Sequence, residues 1–287
     1  MKKPLKSFIV NKDFEGSRVD RFLSKQYPNI PHSLFEKNLR KKNITVNNKK
    51  VKNLFKLKIS DVVDIYAELK VKTTIKKKIL FTHNDSNELK KNFIFECENY
   101  CILNKPYGYA SQDGSKVKKN IIDILNFNSK NYYIVHRLDK ETSGLMLIAK
   151  NRFYAKKFSD MFKSRKIKKK YLVIINGKIK KNKGELHTKD RSSGKEIVSK
   201  LYFEVISKKN NFSYLEIDLI TGRKHQIRKQ FSDIGHPVVG DTKYGDKKNK
   251  NPLCLLSYEI EFKYNNKIKK YRATIPENFK TYLKKFF

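Results

Sequence analysis

Negative charge is scarce in this chain. Its 287 residues hold 28 aspartates and glutamates against 66 lysines and arginines, a formal net charge of +38. Such an imbalance destabilises a compact fold by self-repulsion, so a polyanionic partner is expected, with nucleic acid ahead of membrane surfaces and acidic proteins. Compositional drift toward Lys, Asn and Ile supplies a further share of the lysines. Cysteine is scarce as well. Cys97, Cys101 and Cys254 cannot build a disulfide framework and suit a reducing cytosol. Cys97 and Cys101 have the spacing of half a metal site, but no second pair and no His-x-x-x-His follows. They are read as buried apolar thiols, and no metal is expected. No apolar run comes near the ~20 residues of a membrane span, and the opening MKKPLKSFIVNKDFEG has no signal-peptide core. A cytoplasmic protein is expected, long enough for one main domain with a core and one smaller domain.

Several catalytic signatures are missing too. The chain has no Gly-Lys-Ser/Thr phosphate loop, no Gly-x-Ser-x-Gly and no His-Glu-x-x-His. The HRLD at 136–139 evokes a kinase catalytic loop, but no Gly-rich loop or Asp-Phe-Gly accompanies it. Asp139 and Glu141 stand only two apart, a poor geometry for carboxylates that must face each other across a glycosidic bond. What remains is one carboxylate in a cationic setting. Arginine is also sparing: of ten in the chain, six are Arg18, Arg21, Arg40, Arg137, Arg223 and Arg228. Where lysine is the default cation, a planar five-donor fork marks a position that needs one.

The pattern of the chain divides it at residues 1–70, 71–90 and 91–287. In the first part a strand over Phe8–Val10 precedes two short helices. Ser17 with Asp20, and Ser33 with Glu36, are expected as capping boxes, with Val19, Phe22, Leu23 and Tyr27 on one inner face and Leu34, Phe35 and Leu39 on the other. A hairpin turning at Asn47-Asn48 and the strand DVVDIYAEL complete a small αβ unit. Its outer face carries Arg18, Arg21, Lys25, Lys37, Arg40, Lys41 and Lys42. Residues 71–90 are Lys-rich and read as a linker. The remainder mixes strands with a few helices, among them NIIDILNF and NRFYAKKFSDMFKSRKIKKK, with Phe153, Phe158 and Phe162 inward in the latter. Without regular βαβ alternation this implies an α+β domain on a largely antiparallel, mixed sheet.

Two resemblances sharpen these expectations. The first unit resembles the S4 RNA-binding domain, whose paired helices present basic side chains to folded RNA. HRLDKETSG (136–144) matches the signature of the RluA-type pseudouridine synthases. LNKPYGYA, KKYLVIINGK and LITGRKHQIRKQFSDIGHPVVGDTKYG agree with that family in order and spacing, so the match spans nearly the whole chain. SQDGS (111–115) resembles the RluC-type branch, which acts on large-subunit (23S) ribosomal RNA, but has Asp113 where Gly is usual.

The resemblance implies an enzyme that isomerises uridine in RNA without cofactor or metal: the N1–C1′ bond breaks, uracil turns, and C5 joins C1′. It implies Asp139 as the catalytic carboxylate, attacking C1′ or removing the 2′ proton; Tyr171 as the ring against the target base; and Arg228 as the partner that holds Asp139 ionised. His136 and Arg137 would support the loop and contact RNA. Lys105, Pro106 and Gly108 would line the RNA groove, and Arg223 with Arg18, Arg21, Arg40 and Lys41 would bind RNA. On their own residue patterns, Asp139 also suits a turn aspartate, Tyr171 core packing and Arg228 a helix surface. His225 is read as a structural hydrogen-bonding residue, and GHPVVGDTKYG as a turn without chemistry. The expected partner is large-subunit ribosomal RNA or an assembly intermediate, met by a monomer. Transfer RNA, a non-catalytic RNA-binding or ribosome-assembly protein, and a nucleoside hydrolase are the alternatives.

Overall fold

The computed structural model describes residues 3–28, 30–69, 82–112, 120–127, 131–192, 195–248 and 251–287, without the side chains of 190–197. The chain forms two compact units, one on each side of residues 70–81.

The first unit comprises β1 (Lys6–Ile9), α1 (Val19–Gln26), α2 (His32–Arg40), β2 (Ile44–Val46) and β3 (Val62–Ile65). Its antiparallel sheet runs β1-β3-β2. Val19, Phe22 and Leu23 of α1 and Phe35 and Leu39 of α2 recur at three- and four-residue spacing. They bury one stripe of each helix against Ile44, Val46, Leu57, Val63 and Ile65. Neither expected capping box forms. Arg18 is the residue flanking α1 and ion-pairs with Asp20, which takes Asp20 away from the cap; Pro31 flanks α2 and leaves Ser33 inside the first turn. Asn47 and Asn48 do form a tight turn, both at positive φ and closed by two Val46–Lys49 backbone bonds. The chain then leaves the turn after a single bridge, and β2 pairs with β3 rather than with its own hairpin partner.

The second unit begins earlier than the pattern suggested. Of the segment read as a linker, 71–81 lie outside the described residues, whereas α3 (His83–Lys90) is a helix. Thr82 and Asp85 make a reciprocal capping box and Leu89 is buried, so capping and one apolar anchor outweigh the polar composition. There follow β4 (Phe93–Glu96), β5 (Tyr100–Lys105), α4 (Ile121–Leu125), β6 (Tyr133–Ile134), β7 (Ser143–Ala149), α5 (Arg152–Lys163) and β8 (Lys168–Asn176). Next come β9 (Lys183–Ser192), β10 (Lys195–Lys209), β11 (Phe212–Leu219), α6 (Gln226–Asp233), β12 (Leu255–Tyr264), β13 (Lys267–Arg272) and α7 (Glu277–Phe286). The strands form one ten-stranded sheet in the order β4-β5-β7-β12-β8-β11-β10-β9, with β6 on β7 and β13 on β12. Among the described strand pairs of this sheet only β7 with β12 is parallel. The fold is therefore α+β on a largely antiparallel sheet.

Alternation along β8 shows how the sheet divides its cores. Tyr171, Val173 and Ile175 point to one face, with Ile227 and Phe231 of α6 and Ile121 and Ile124 of α4. Leu172 and Ile174 point to the other, with Phe158 of α5 and Phe279 of α7. Phe153, expected inward, is 70% exposed in the first turn of α5, where Phe158 alone of the helix is fully buried. Gly144, at φ +106, lies where β7 meets β12, and a Cβ there would stand 2.2 Å from the Ser257 carbonyl oxygen. The parallel crossing requires glycine.

Candidate active site

The loop His136–Thr142 feeds directly into β7, which explains the polar run before a buried strand: the loop is anchored at three points by the surrounding fold and closed by a turn of its own. At its start, the His136 ring stacks on Phe162 with centroids 4.3 Å apart, and its Nε2 accepts the Leu147 N–H at 2.9 Å. Further along, the Ser111 hydroxyl donates to the Leu138 carbonyl at 2.7 Å and accepts the Leu138 N–H at 3.0 Å. The Lys140 carbonyl receives the Gly108 N–H at 3.0 Å and Lys105 Nζ at 3.2 Å. Thr142 N–H closes the turn on the Asp139 carbonyl at 3.1 Å. Both peptide neighbours of Asp139 are thus fixed while its side chain, 17% exposed, is left to face the cavity described below.

Lys105 corrects an expectation. It does not line an RNA groove. It is 1% exposed, and its three N–H donors are taken by the carbonyls of Pro106, Tyr109 and Lys140 at 3.0, 2.9 and 3.2 Å. Burial draws the ammonium down to about 7, against the pull of Glu141 and Asp139. Its task is to tie the 105–111 turn to the Asp139 loop.

His136 is also more structural than expected. Burial, with Lys169 nearby, lowers its imidazole to about 3 from 6.5. The unfolded chain takes up a proton near pH 6.5 that the fold refuses until about pH 3. Stability is therefore lost as pH falls through that window, by at most ~1.4 kcal/mol per pH unit, less for the ring's exposed edge. The urea midpoint is expected to drop more between pH 6.5 and 4.5 in the parent than in His136→Gln; equal drops would mean that the ring titrates freely.

Opposite the loop, β8 supplies Tyr171, 6% exposed, with its phenol pushed up to about 12 by burial and by the Asp139 charge. The turn before α6 is shaped by Gln226, whose Oε1 accepts from the Thr221 hydroxyl (2.8 Å) and the Arg223 N–H (3.1 Å). His225 stands at the helix start in the left-handed region, φ 53, a strained conformation for a side-chain-bearing residue. Its Nε2 lies 3.5 Å from Asp139 Oδ1 and its Nδ1 2.9 Å from the Tyr244 hydroxyl.

Arg228 corrects a second expectation. Its guanidinium holds not Asp139 but Asp241, bidentately at 2.7 and 2.8 Å, with Glu141 at 3.5 Å from its third nitrogen. A fully buried carboxylate in the turn that follows α6 is the better-matched partner for a fork that is itself 4% exposed. Burial would raise the Asp241 carboxyl, but Arg228 and the N–H groups of Tyr244 and Lys243 outweigh it and hold it below its usual value. Asp241 came from a turn to which sequence reasoning assigned no chemistry. The available signal was scarcity, since a carboxylate inside a Gly-bounded turn is conspicuous in so basic a chain.

Asp139, Tyr171, His225 and Arg228 converge on one cavity of about 130 Å³, edged by Arg137, Arg223 and Lys224 and floored by Leu219, Ile227 and Leu255. At about 30 Å³ per water this equals roughly four waters, the room of one flat six-membered ring. A larger cleft shares its Tyr171 wall and carries Arg137, Lys163, Arg165, Lys169 and Arg223 with no carboxylate in its lining. Arg137 and Arg223 are exposed at the cavity mouth. In the first unit Arg21, Arg40 and Lys41 are exposed, whereas Arg18 is engaged by Asp20. Among the described residues no cluster of three or more His, Cys, Asp or Glu could hold a metal, and no helix is long and apolar enough to cross a membrane. Asp113 lies outside the described residues.

The sequence pattern of the RNA pseudouridylate synthase family matches residues 99–233. A ribosomal large subunit pseudouridine synthase C from Rickettsia felis is 36% identical, the alignment covering 81% of this chain and 83% of that protein. The protein of the same description from Haemophilus influenzae is 30% identical over 98% of this chain and 95% of its own. In three dimensions, human RNA pseudouridylate synthase domain containing 4 superposes with a TM-score of 0.60 at 22% identity, covering 69% of this chain and 94% of that one.

Proposed function

The chain belongs to the RNA pseudouridylate synthase family, and on that premise we propose that it isomerises uridine in ribosomal RNA of the large subunit, with Asp139 as its catalytic carboxylate. The observation that carries the assignment is the ring-sized cavity in which Asp139 and Tyr171 meet. A uridine leaves its stack, at a cost of a few kcal/mol, and its uracil enters between the Tyr171 ring and the apolar floor. Asp139 reaches the ribose, the N1–C1′ bond breaks, and the freed uracil turns within the cavity. C5 then bonds to C1′ before the base leaves; the hydrogen on C5 departs as a proton and N1 gains one, so no redox partner or water is consumed. Asp139 either attacks C1′, as carboxylates do at anomeric carbons, or takes the 2′ proton. The phenol of Tyr171, raised to about 12, stays protonated throughout. Arg228 serves through Asp241, holding α6 and the cavity wall in place.

Arg137 at the mouth suits a contact that splays the target nucleotide, and the carboxylate-free cleft beside it suits the RNA backbone. The first unit, with two short helices and an exposed basic face, is assigned as an S4-like module that grips folded RNA. The enzyme acts as a monomer in the cytosol, where free thiols at Cys97, Cys101 and Cys254 are at home.

Mapping pseudouridines by carbodiimide primer stops on ribosomal and transfer RNA, from cells with and without this gene, tests the substrate. Stops lost only from large-subunit RNA support the proposal, stops lost from transfer RNA redirect it, and release of free uracil in vitro would indicate a hydrolase. A second measurement tests the binding faces. Arg165→Gln with Lys169→Gln, and separately Arg21→Gln with Arg40→Gln and Lys41→Gln, should flatten the dependence of log affinity on log salt by about 0.7–0.9 per lost phosphate contact. An unchanged slope would show that the altered face is idle.

A further inference from the structure

Tyr244 and His225 form a chain of contacts that ends on the catalytic loop and that the reaction described above does not use. Tyr244 is itself fixed: its N–H donates to Asp241 Oδ1 at 3.0 Å, and its carbonyl accepts the Ser232 hydroxyl at 2.6 Å. Its ring lies edge-on to the His225 imidazole, and its hydroxyl is 2.9 Å from Nδ1. The opposite ring nitrogen, Nε2, lies 3.5 Å from Asp139 Oδ1. Only one assignment of protons makes both contacts favourable for a neutral ring: the Tyr244 O–H donates to Nδ1, and Nε2–H points at the carboxylate. Resting on the uridine-isomerising role of Asp139, we propose that His225, its tautomer set by Tyr244, is a positioning residue that binds one oxygen of the Asp139 carboxylate and leaves the other for the ribose.

Three features support this. The 3.5 Å separation is long, but catalytic hydrogen bonds commonly tighten as the substrate closes around them. The left-handed backbone at His225 is the kind of local strain that persists where a side chain must be aimed. The groups around the ring favour its neutral form: burial lowers the imidazole below 6.5, Arg228 and Lys243 with Lys224 act in the same direction, and Asp139 opposes them. Arg137 and Arg223 share the cavity on its other side. A neutral donor orients the carboxylate without neutralising it, whereas an imidazolium would pair with Asp139 and quench it. The scarcity of negative charge in the chain gives this weight, because a lone carboxylate among arginines has many cations to turn toward.

The test compares His225→Gln, His225→Leu and Tyr244→Phe with the parent on one RNA substrate. Glutamine places an amide N–H near the position of Nε2–H; leucine offers none. His225→Leu should lower kcat by roughly 10²-fold with KM within severalfold, and His225→Gln should recover about tenfold of that loss. The parent should lose activity on acidification as the imidazole protonates. In His225→Gln that acid limb should move to lower pH, since no ring remains to titrate there. Tyr244→Phe should fall between parent and leucine variant. Equal impairment of the glutamine and leucine variants, or an acid limb left in place by His225→Gln, would overturn the proposal. If the leucine variant does not fold, the glutamine and phenylalanine variants decide the matter alone. A parent that makes no pseudouridine would instead refute the isomerase role itself, which keeps the two failures apart.

Discussion

Asp139→Asn is expected to abolish pseudouridine formation, lowering turnover by at least about 10³-fold, while RNA affinity stays within severalfold of the parent. The substitution keeps the shape of the side chain and removes only its charge and basicity, which are what either route at the ribose demands. Because Leu138 and Lys140 are pinned by Ser111, Gly108 and Lys105, the loop should hold its course around the amide. The loss then falls on the chemical step alone. Release of tritium from C5-labelled uridine in RNA measures turnover, and filter binding measures affinity. A variant with full turnover would remove Asp139 from the mechanism. A variant that loses turnover and affinity together would mean that the loop had collapsed.

The second large effect is on stability. Arg228→Met is expected to destabilise the second unit by about 3–5 kcal/mol, because it strands the buried Asp241 carboxylate without its counter-charge. For a unit of this size that lowers the melting temperature by on the order of 10 °C. Adding Asp241→Asn should recover most of the loss. Asparagine is the right second change, because Asp241 Oδ1 also accepts the N–H groups of Lys243 and Tyr244 at 2.9 and 3.0 Å, and an apolar side chain would orphan both. Calorimetry on the two single variants and the double gives the coupling directly. If Arg228→Met melts with the parent, the pair is not the anchor of α6. If it melts with the parent yet loses all activity, Arg228 belongs at the reacting centre and not behind it.

These expectations differ in how far residue patterns alone could reach. Periodicity marks what it should: Val19, Phe22 and Leu23 fall on one stripe of α1, and Tyr171, Val173 and Ile175 alternate with Leu172 and Ile174 along β8. The motif around Asp139 puts it in the cavity with Tyr171 because that loop and that strand are each local in sequence. Partners escape this logic. Arg228 lies thirteen residues before Asp241, which holds it, and eighty-nine after Asp139, which it was expected to hold. No spacing rule ranks those two. Lys105 shows the same limit, since a lysine beside a Pro-Gly turn looks solvent-facing until three carbonyls from two loops close around it. Helix starts fail for a smaller reason. Ser17 and Ser33 each miss the capping position by a residue or two, and Arg18 draws Asp20 away from the reciprocal bond.

The parallel pairing of β7 with β12 has a further consequence, one of timing. β12 lies between β7 and β8 in the sheet, and Ser257 seats against Gly144 just beyond the Asp139 loop. A ribosome making this chain has therefore already added Asp139, Tyr171, His225 and Arg228 before the strand that unites them exists. A chain made only as far as the end of α6 carries the full set of reactive groups as an inert collection. Competence arrives abruptly, late in synthesis, when the central gap of the sheet is filled.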